Sequence, residues 1–243
     1  MLSVVIPVYN EAAVLGRLFA RLYPVLDGCR EPYEIVFVDD GSRDASRELL
    51  AAQHRQRPDV TRVVFFAGNY GQHMAVLAGF GQVRGSIIVT LDADLQNPPE
   101  ELPRLVAAIR AGHDYVGSVR AERRDSAFRR LASRAMNRLR ERITGIRMTD
   151  QGCMLRAYDR RLVDVINTCH ESTTFVPALA GLFAERPIEI VVGHEERAAG
   201  ESRYSLYGLV RLNFDLVTGF SIVPLQWLSL LGGLLSLASA GLF

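Results

Sequence analysis

Three short polar clusters each follow an apolar run: Tyr9-Asn10-Glu11, Asp39-Asp40-Gly41-Ser42 and Asp92-Ala93-Asp94. Two carboxylates one residue apart at the end of a strand offer hard oxygen ligands for Mg²⁺ or Mn²⁺, and a cation held there can sit against a diphosphate. The same triplet also serves as a solvated turn or helix cap ahead of Pro98 and Pro99, and Asp-Gly-Ser is ordinary turn chemistry. Position gives these clusters their weight, because all three fall where apolar strand candidates end.

Anion-binding groups follow in two basic stretches. Arg120 to Arg147 holds ten arginines against Glu122, Asp125 and Glu141. Arg129, Ser133 and Arg134 lie about a helical turn apart, and planar guanidinium groups suit bidentate phosphate binding; the competing reading is a solvated helix face. Nucleic acid is a poor fit, since the net charge is only +1 and few aromatics interleave the arginines. The second stretch runs from Arg197 through Gly200 to Arg203 and Tyr204. A loop of that composition can close over a bound diphosphate, or be a plain surface connection. Asp150, between Thr144-Gly145 and Gln151-Gly152, is placed to face the same cleft or to act as a structural hydrogen-bond acceptor.

Other chemistries are excluded by what the chain lacks. All 28 basic residues are arginine, so no Schiff base, pyridoxal phosphate linkage or P-loop lysine is available. Cys29, Cys153 and Cys169 have neither zinc-knuckle nor redox spacing, and their odd number predicts a reducing, cytoplasmic setting. His73, His113, His170 and His194 are isolated and His54 falls in a predicted surface helix, so none receives a catalytic role.

The elements that must position these groups are readable from periodicity. Leu2 to Val8, Glu34 to Val38, Thr61 to Phe66, Ser86 to Leu91 and Tyr115 to Val119 are predicted strands; Ala12 to Tyr23, Ala45 to Gln56 and Glu100 to Ala111 are predicted helices. Their alternation in a chain of 243 residues, 49% hydrophobic and 23% charged, predicts an α/β fold with a mostly parallel, doubly wound sheet. Ligands then bind beyond the carboxyl ends of the strands, where the three polar clusters converge. A dehydrogenase is disfavoured, because the turn after the first strand carries Tyr9-Asn10-Glu11 in place of GxGxxG. A polar loop with an aromatic ring suits a nucleoside face.

The end of the chain differs in kind. Leu206 to Val217 has Arg211 and Asp215 as its only charges and predicts a helix lying in the membrane interface. Leu225 to Phe243 is uncharged, and 19 residues at 1.5 Å each span about 28 Å, close to a hydrocarbon core. A buried core helix is the alternative. Trp227 fits an interfacial anchor, and the arginines before it favour a cytoplasmic body. The expected organisation is therefore residues 1–204 as the catalytic domain, 205–222 as the interfacial helix and 223–243 as a transmembrane helix, with a returning second helix expected beyond it.

The clusters Val5-Ile6-Pro7-Val8-Tyr9-Asn10-Glu11, Val38-Asp39-Asp40-Gly41-Ser42 and Leu91-Asp92-Ala93-Asp94-Leu95-Gln96 together resemble the signature of inverting GT-A glycosyltransferases of family 2. Gly117-Ser118-Val119-Arg120, Phe128-Arg129-Arg130-Leu131-Ala132-Ser133 and Gly200-Glu201-Ser202-Arg203-Tyr204 are similar to the polyprenyl-phosphate members, including those that make dolichyl-phosphate mannose. In those members Lys usually stands where this chain has Arg203. The runs Asn69-Tyr70-Gly71-Gln72-His73, Asp94 to Glu101, Gly152 to Tyr158 and Cys169-His170-Glu171 most resemble members that transfer 4-deoxy-4-formamido-L-arabinose to undecaprenyl phosphate.

The resemblance implies a Rossmann-like GT-A domain. Its nucleotide contacts would come from Pro7, Tyr9, Glu11, Asp39, Asp40, Asp92, Ala93, Arg197 and Arg203, and Asp92, Asp94 and Gln96 would hold Mg²⁺ or Mn²⁺. Arg120, Arg129 and Ser133 would bind the acceptor phosphate, with Asp94, Asp150 and Arg129 at the chemistry. The implied partners are a UDP-sugar, undecaprenyl or another polyprenyl phosphate, the bacterial inner membrane and further copies of the chain, as in a homotetramer, in the service of cell-envelope or lipid A modification. Transfer of another sugar, such as glucose or an amino sugar, and a non-catalytic nucleotide-binding membrane scaffold stay open as alternatives.

Overall fold

A computed structural model of the chain describes residues 1–121, 141, 148–150, 152–169, 175–195 and 223–240. The run Leu2–Val8 forms β1, buried at every position but Pro7. A strand buried on both faces needs partners on both edges and helices above and below, the setting of a parallel sheet. β2 (Tyr33–Asp39) and β4 (Ile87–Thr90) flank β1 in parallel, with Val8 opposite Asp39 and Val5 opposite Thr90. β3 (Thr61–Phe65) extends the sheet beyond β2, again in parallel.

On the other side the direction changes. β6 (Arg156–Asp159) is antiparallel to both β4 and β5 (Tyr115–Arg120), and β7 (Pro187–Val192) runs parallel to β5 at the edge. The seven-stranded order is β3-β2-β1-β4-β6-β5-β7. The chain leaves β1 toward β2 and β3 and later returns to β1's other edge as β4, so a topological switch point lies between β1 and β4.

The helices cover the sheet through stripes of helical spacing. α1 (Ala12–Gly28) buries Val14, Leu15, Leu18, Leu22 and Leu26 and continues through Pro24, where the sequence pattern predicts an end near Tyr23. α2 (Ser46–Gln56) and α4 (Leu102–Arg110), the latter preceded by the 3₁₀ turn Pro99–Glu101, lie within a residue or two of expectation. α3 (Gln72–Phe80), α5 (Arg160–Thr168) and α6 (Val176–Phe183) complete the layers. α3 approaches β1 so closely that a Cβ on Gly79 would fall 2.3 Å from Val5 Cγ1.

The chain packs as two compact units, residues 1–124 with 148–200 and residues 125–147 with 201–243. The sheet belongs to the first. In the second, α7 (Val223–Ala240) begins where the expected membrane helix does, and Trp227, Leu228, Leu230 and Leu231 are exposed on it. Among the described residues, however, no helix is long and apolar enough to cross a membrane. The expected interfacial helix over 205–222, and the tip of the expected membrane helix, lie outside the described residues.

Candidate functional site

The loops at the carboxyl ends of β1 and β2 are stitched together by side chains reaching backbone amides. Ser42 Oγ accepts from Asn10 N at 2.9 Å, Ser46 Oγ from Glu11 N at 3.0 Å and Asp44 Oδ2 from Ala12 N at 3.0 Å, while Asn10 Oδ1 accepts from Arg43 N at 2.7 Å. Three amides at the start of α1, which lack helical partners, are thus met by the neighbouring turn. Gly41 makes that turn possible. Its φ is +72°, and a Cβ there would lie 2.4 Å from the carbonyl carbon of Gly68, so any side chain meets both strain and backbone.

Asp39 and Asp40, both buried, hold this edge together. Asp39 accepts from Ser42 N at 3.3 Å and lies 3.7 Å from Arg47 Nε. Asp40 accepts from Tyr70 N at 2.7 Å and from Gly71 N at 2.9 Å, which fixes the loop leading into α3. Pro7, Tyr9 and Glu11 stand beside them, each half-buried. Exposed Tyr70, edge-on to Phe66 with ring centroids 5.6 Å apart, adds a second aromatic at this edge.

Beyond β4 the acidic triplet is held from two sides. Asp92 accepts from Gln72 Nε2, at the start of α3, at 2.6 Å, and Asn97 Nδ2 lies 3.5 Å from its other oxygen. Asp94, nearly buried, accepts from Gln96 N at 3.0 Å across a turn in which Leu95 has φ +62°. Ala93 between them is buried. Asp92, Asp94 and the Gln96 carboxamide are hard oxygen donors of the kind Mg²⁺ and Mn²⁺ accept. Among the described residues no group of three His, Cys, Asp or Glu side chains converges on a metal position. Two carboxylates and one carboxamide are few ligands, so a cation held there would fill its remaining positions with water and phosphate oxygens.

Asp150 and Arg120 meet at the end of β5. Arg120 Nε and Nη2 donate to the two Asp150 oxygens at 2.7 and 2.8 Å, and Gly152 N donates to Oδ1 at 3.2 Å. Asp150 is 1% exposed and Arg120 is half-buried, so the pair is bidentate and partly shielded from water.

Burial lowers the pKa of His194 and the charge of Arg120 lowers it further, against the opposing charges of Asp150 and Asp94. The Cys153 thiol donates to Asn97 Oδ1 at 3.3 Å, and burial pushes its pKa up to about 11. Asp92 and Asp94 follow β4, Arg120 ends β5 and Asp150 precedes β6, three strands that are neighbours in the sheet. Arg129, Ser133, Arg197 and Arg203 lie outside the described residues. The strand leading to Arg197 is anchored by Arg21, which donates to Glu195 at 2.8 Å and to Glu100 at 2.8 Å.

Gln72 is not a candidate by residue type, and His194 carries no catalytic role by its spacing. The only signal for Gln72 is its place in the run Asn69 to His73, and the only one for His194 is its position three residues before Arg197.

Residues 3–166 match the model of "Glycosyl transferase family 2". The chain belongs to that family. Among the relatives of this glycosyltransferase is the undecaprenyl-phosphate 4-deoxy-4-formamido-L-arabinose transferase of Yersinia enterocolitica, 51% identical over 236 residues that make up 97% of this chain and 72% of that one. The enzyme of the same name from Pseudomonas aeruginosa is 53% identical over 238 residues, 98% of this chain and 70% of that one.

Solved structures share the fold of the family 2 domain. Glucosyl-3-phosphoglycerate synthase from Mycobacterium tuberculosis, in complex with Mn²⁺, UDP and glucosyl-3-phosphoglycerate, superposes with a TM-score of 0.62 at 20% identity, over 90% of this chain and 80% of that one. A mannosyltransferase from Pyrobaculum calidifontis, in complex with GDP-mannose and Mn²⁺, gives 0.60 at 19% identity, over 88% of this chain and 60% of that one.

Proposed function

We propose that this glycosyltransferase moves 4-deoxy-4-formamido-L-arabinose from UDP to undecaprenyl phosphate at the bacterial inner membrane, with inversion, as a step in lipid A modification. Identity above 50% over nearly the whole chain to the Pseudomonas aeruginosa enzyme named for that reaction carries the assignment. Pro7, Tyr9, Glu11, Asp39, Asp40 and Ala93 form the nucleotide side, at the switch point between β1 and β4. Asp92, Asp94 and Gln96 hold Mg²⁺ or Mn²⁺, which when bound neutralises the diphosphate of the departing UDP. Arg197 and Arg203 supply further positive charge to the same diphosphate.

Arg120, with Arg129 and Ser133, receives the acceptor phosphate. A phosphate monoester is already largely dianionic at neutral pH, its second pKa being about 6, so its oxygen attacks the anomeric carbon without a dedicated base. Asp150, with both oxygens on Arg120, orients this acceptor group. Alignment of nucleophile, anomeric carbon and leaving oxygen then supplies much of the rate. The apolar face of α7 and the uncharged stretch from residue 216 onward attach the enzyme to the bilayer that holds its acceptor.

Mass spectrometry of the lipid fraction, after incubation of the protein with UDP-4-deoxy-4-formamido-L-arabinose, Mn²⁺ and undecaprenyl phosphate, tests this function. A product heavier than undecaprenyl phosphate by one sugar residue is expected. Unmodified lipid alongside a lipid-linked product from UDP-glucose would replace the sugar assignment.

A further inference from the structure

The largest fully buried side chain described is a charged one. Arg156, at the first position of β6, is 1% exposed, and among the described residues no carboxylate pairs with it. Its guanidinium instead meets one turn of backbone. Nε donates to the Cys153 carbonyl at 2.8 Å, Nη2 to the Asp150 carbonyl at 2.7 Å, with Met148 Sδ at 3.6 Å, and Nη1 to the Tyr115 hydroxyl on β5. Burying a cation without a counter-ion costs several kcal/mol, more than a staple made of neutral groups would. Only a planar fork reaches two carbonyls of one turn and a hydroxyl on the neighbouring strand at once.

The segment so held, residues 148–150 with 152 and 153, carries Asp150, whose carboxylate grips Arg120 through two hydrogen bonds. The contacts run in series: Arg156 to the carbonyls of Asp150 and Cys153, the Asp150 carboxylate to Arg120. We infer that Arg156 is a positioning residue for the acceptor-phosphate half of the site, fixing Arg120 through the Asp150 turn. At 1% exposure its side chain offers no surface to a substrate, so it acts through the residues it holds. Toward the nucleotide half the described route is longer and made of neutral groups, from Cys153 to Asn97 and on to Asp92 at 3.5 Å, so the loops after β1, β2 and β4 are expected to keep their geometry without it. This inference rests on the acceptor assignment made under the proposed function.

The test is equilibrium binding and steady-state kinetics of the full chain in detergent, comparing R156K, which keeps the charge but not the fork, with R156M and D150N. R156K is expected to raise the KM for undecaprenyl phosphate by roughly tenfold or more, the scale of one or two charged hydrogen bonds, and to leave UDP affinity in Mn²⁺ within about twofold. The double variant R156K/D150N is expected to be little worse than D150N alone, because both changes break one series of contacts. Equal losses toward donor and acceptor, an unchanged acceptor KM, or additive effects of R156K and D150N would each overturn the inference. If R156M does not fold, R156K carries the comparison. A wild type that binds no undecaprenyl phosphate contradicts the functional reading first, and removes the inference with it before any variant is compared.

Discussion

At the scale of single residues, what the sequence disclosed was chemistry that announces itself by type. Asp92 and Asp94 are visible because two carboxylates end an apolar run. Gln72 is invisible because its value comes from α3 bringing an amide to 2.6 Å from Asp92. Replacing Asp94 by Asn is expected to lower turnover by about 10² or more, the cost of losing a charged ligand to a leaving diphosphate, and to weaken Mn²⁺-dependent UDP binding. Replacing Gln72 by Ala is expected to cost less, roughly tenfold to a hundredfold, as removal of a group that orients a ligand does; titration of activity with Mn²⁺ separates the two.

His73 makes a prediction of a different kind. Its Nδ1 is buried without a hydrogen-bond partner among the described residues, its ring meets Phe175 edge-on, and burial, with Arg156 nearby, lowers its pKa from 6.5 to about 4. The unfolded chain therefore takes up this proton first as pH falls. The stability His73 confers is full above about pH 6.5 and is lost progressively toward pH 4, by an amount on the order of 2–3 kcal/mol. H73Q should flatten that part of the urea-midpoint profile; a profile parallel to wild type would contradict the assignment.

At the scale of elements, strong periodicity was enough for the parallel half of the sheet. β1 is found at Leu2–Val8 as expected, and β2, β3 and β4 differ from expectation by a residue or so at their ends. β6 was not legible. Its four residues, Arg-Ala-Tyr-Asp, begin and end on charges, and their burial depends on β4 and β5 closing on either side. α3 was missed because nine residues of nearly uniform apolar character show no stripe, and its start is set by Gly71 with φ +96°. The loop joining β2 to α2 supplies the sharpest test of how the elements hold the site. G41A places a methyl group against the Gly68 backbone at a positive φ, with an expected destabilisation of ~2 kcal/mol or more and a parallel loss of UDP affinity. Thermal unfolding with and without UDP measures both, and an unchanged midpoint would show that the stitched loops are not what holds the nucleotide edge.

At the scale of the whole molecule, the charge-free end was legible from composition alone, whereas its relation to a bilayer depends on lipid, which no sequence pattern contains. Leu231, exposed on α7, offers a direct probe. L231R is expected to weaken co-sedimentation with phospholipid vesicles, since a charge on an apolar helix face opposes its burial in lipid, and to leave Mn²⁺-dependent UDP binding intact. Unchanged sedimentation would remove α7 from the attachment.

The central claim is that the cleft at the carboxyl edge of the sheet joins a nucleotide sugar to a lipid phosphate. Its most direct test is UDP release from a panel of UDP-sugars with Mg²⁺ or Mn²⁺, in the presence and absence of undecaprenyl phosphate. The account predicts release that requires the lipid and is selective for UDP-4-deoxy-4-formamido-L-arabinose. UDP released equally fast without lipid, or metal-dependent UDP binding with no turnover under any condition, would contradict it.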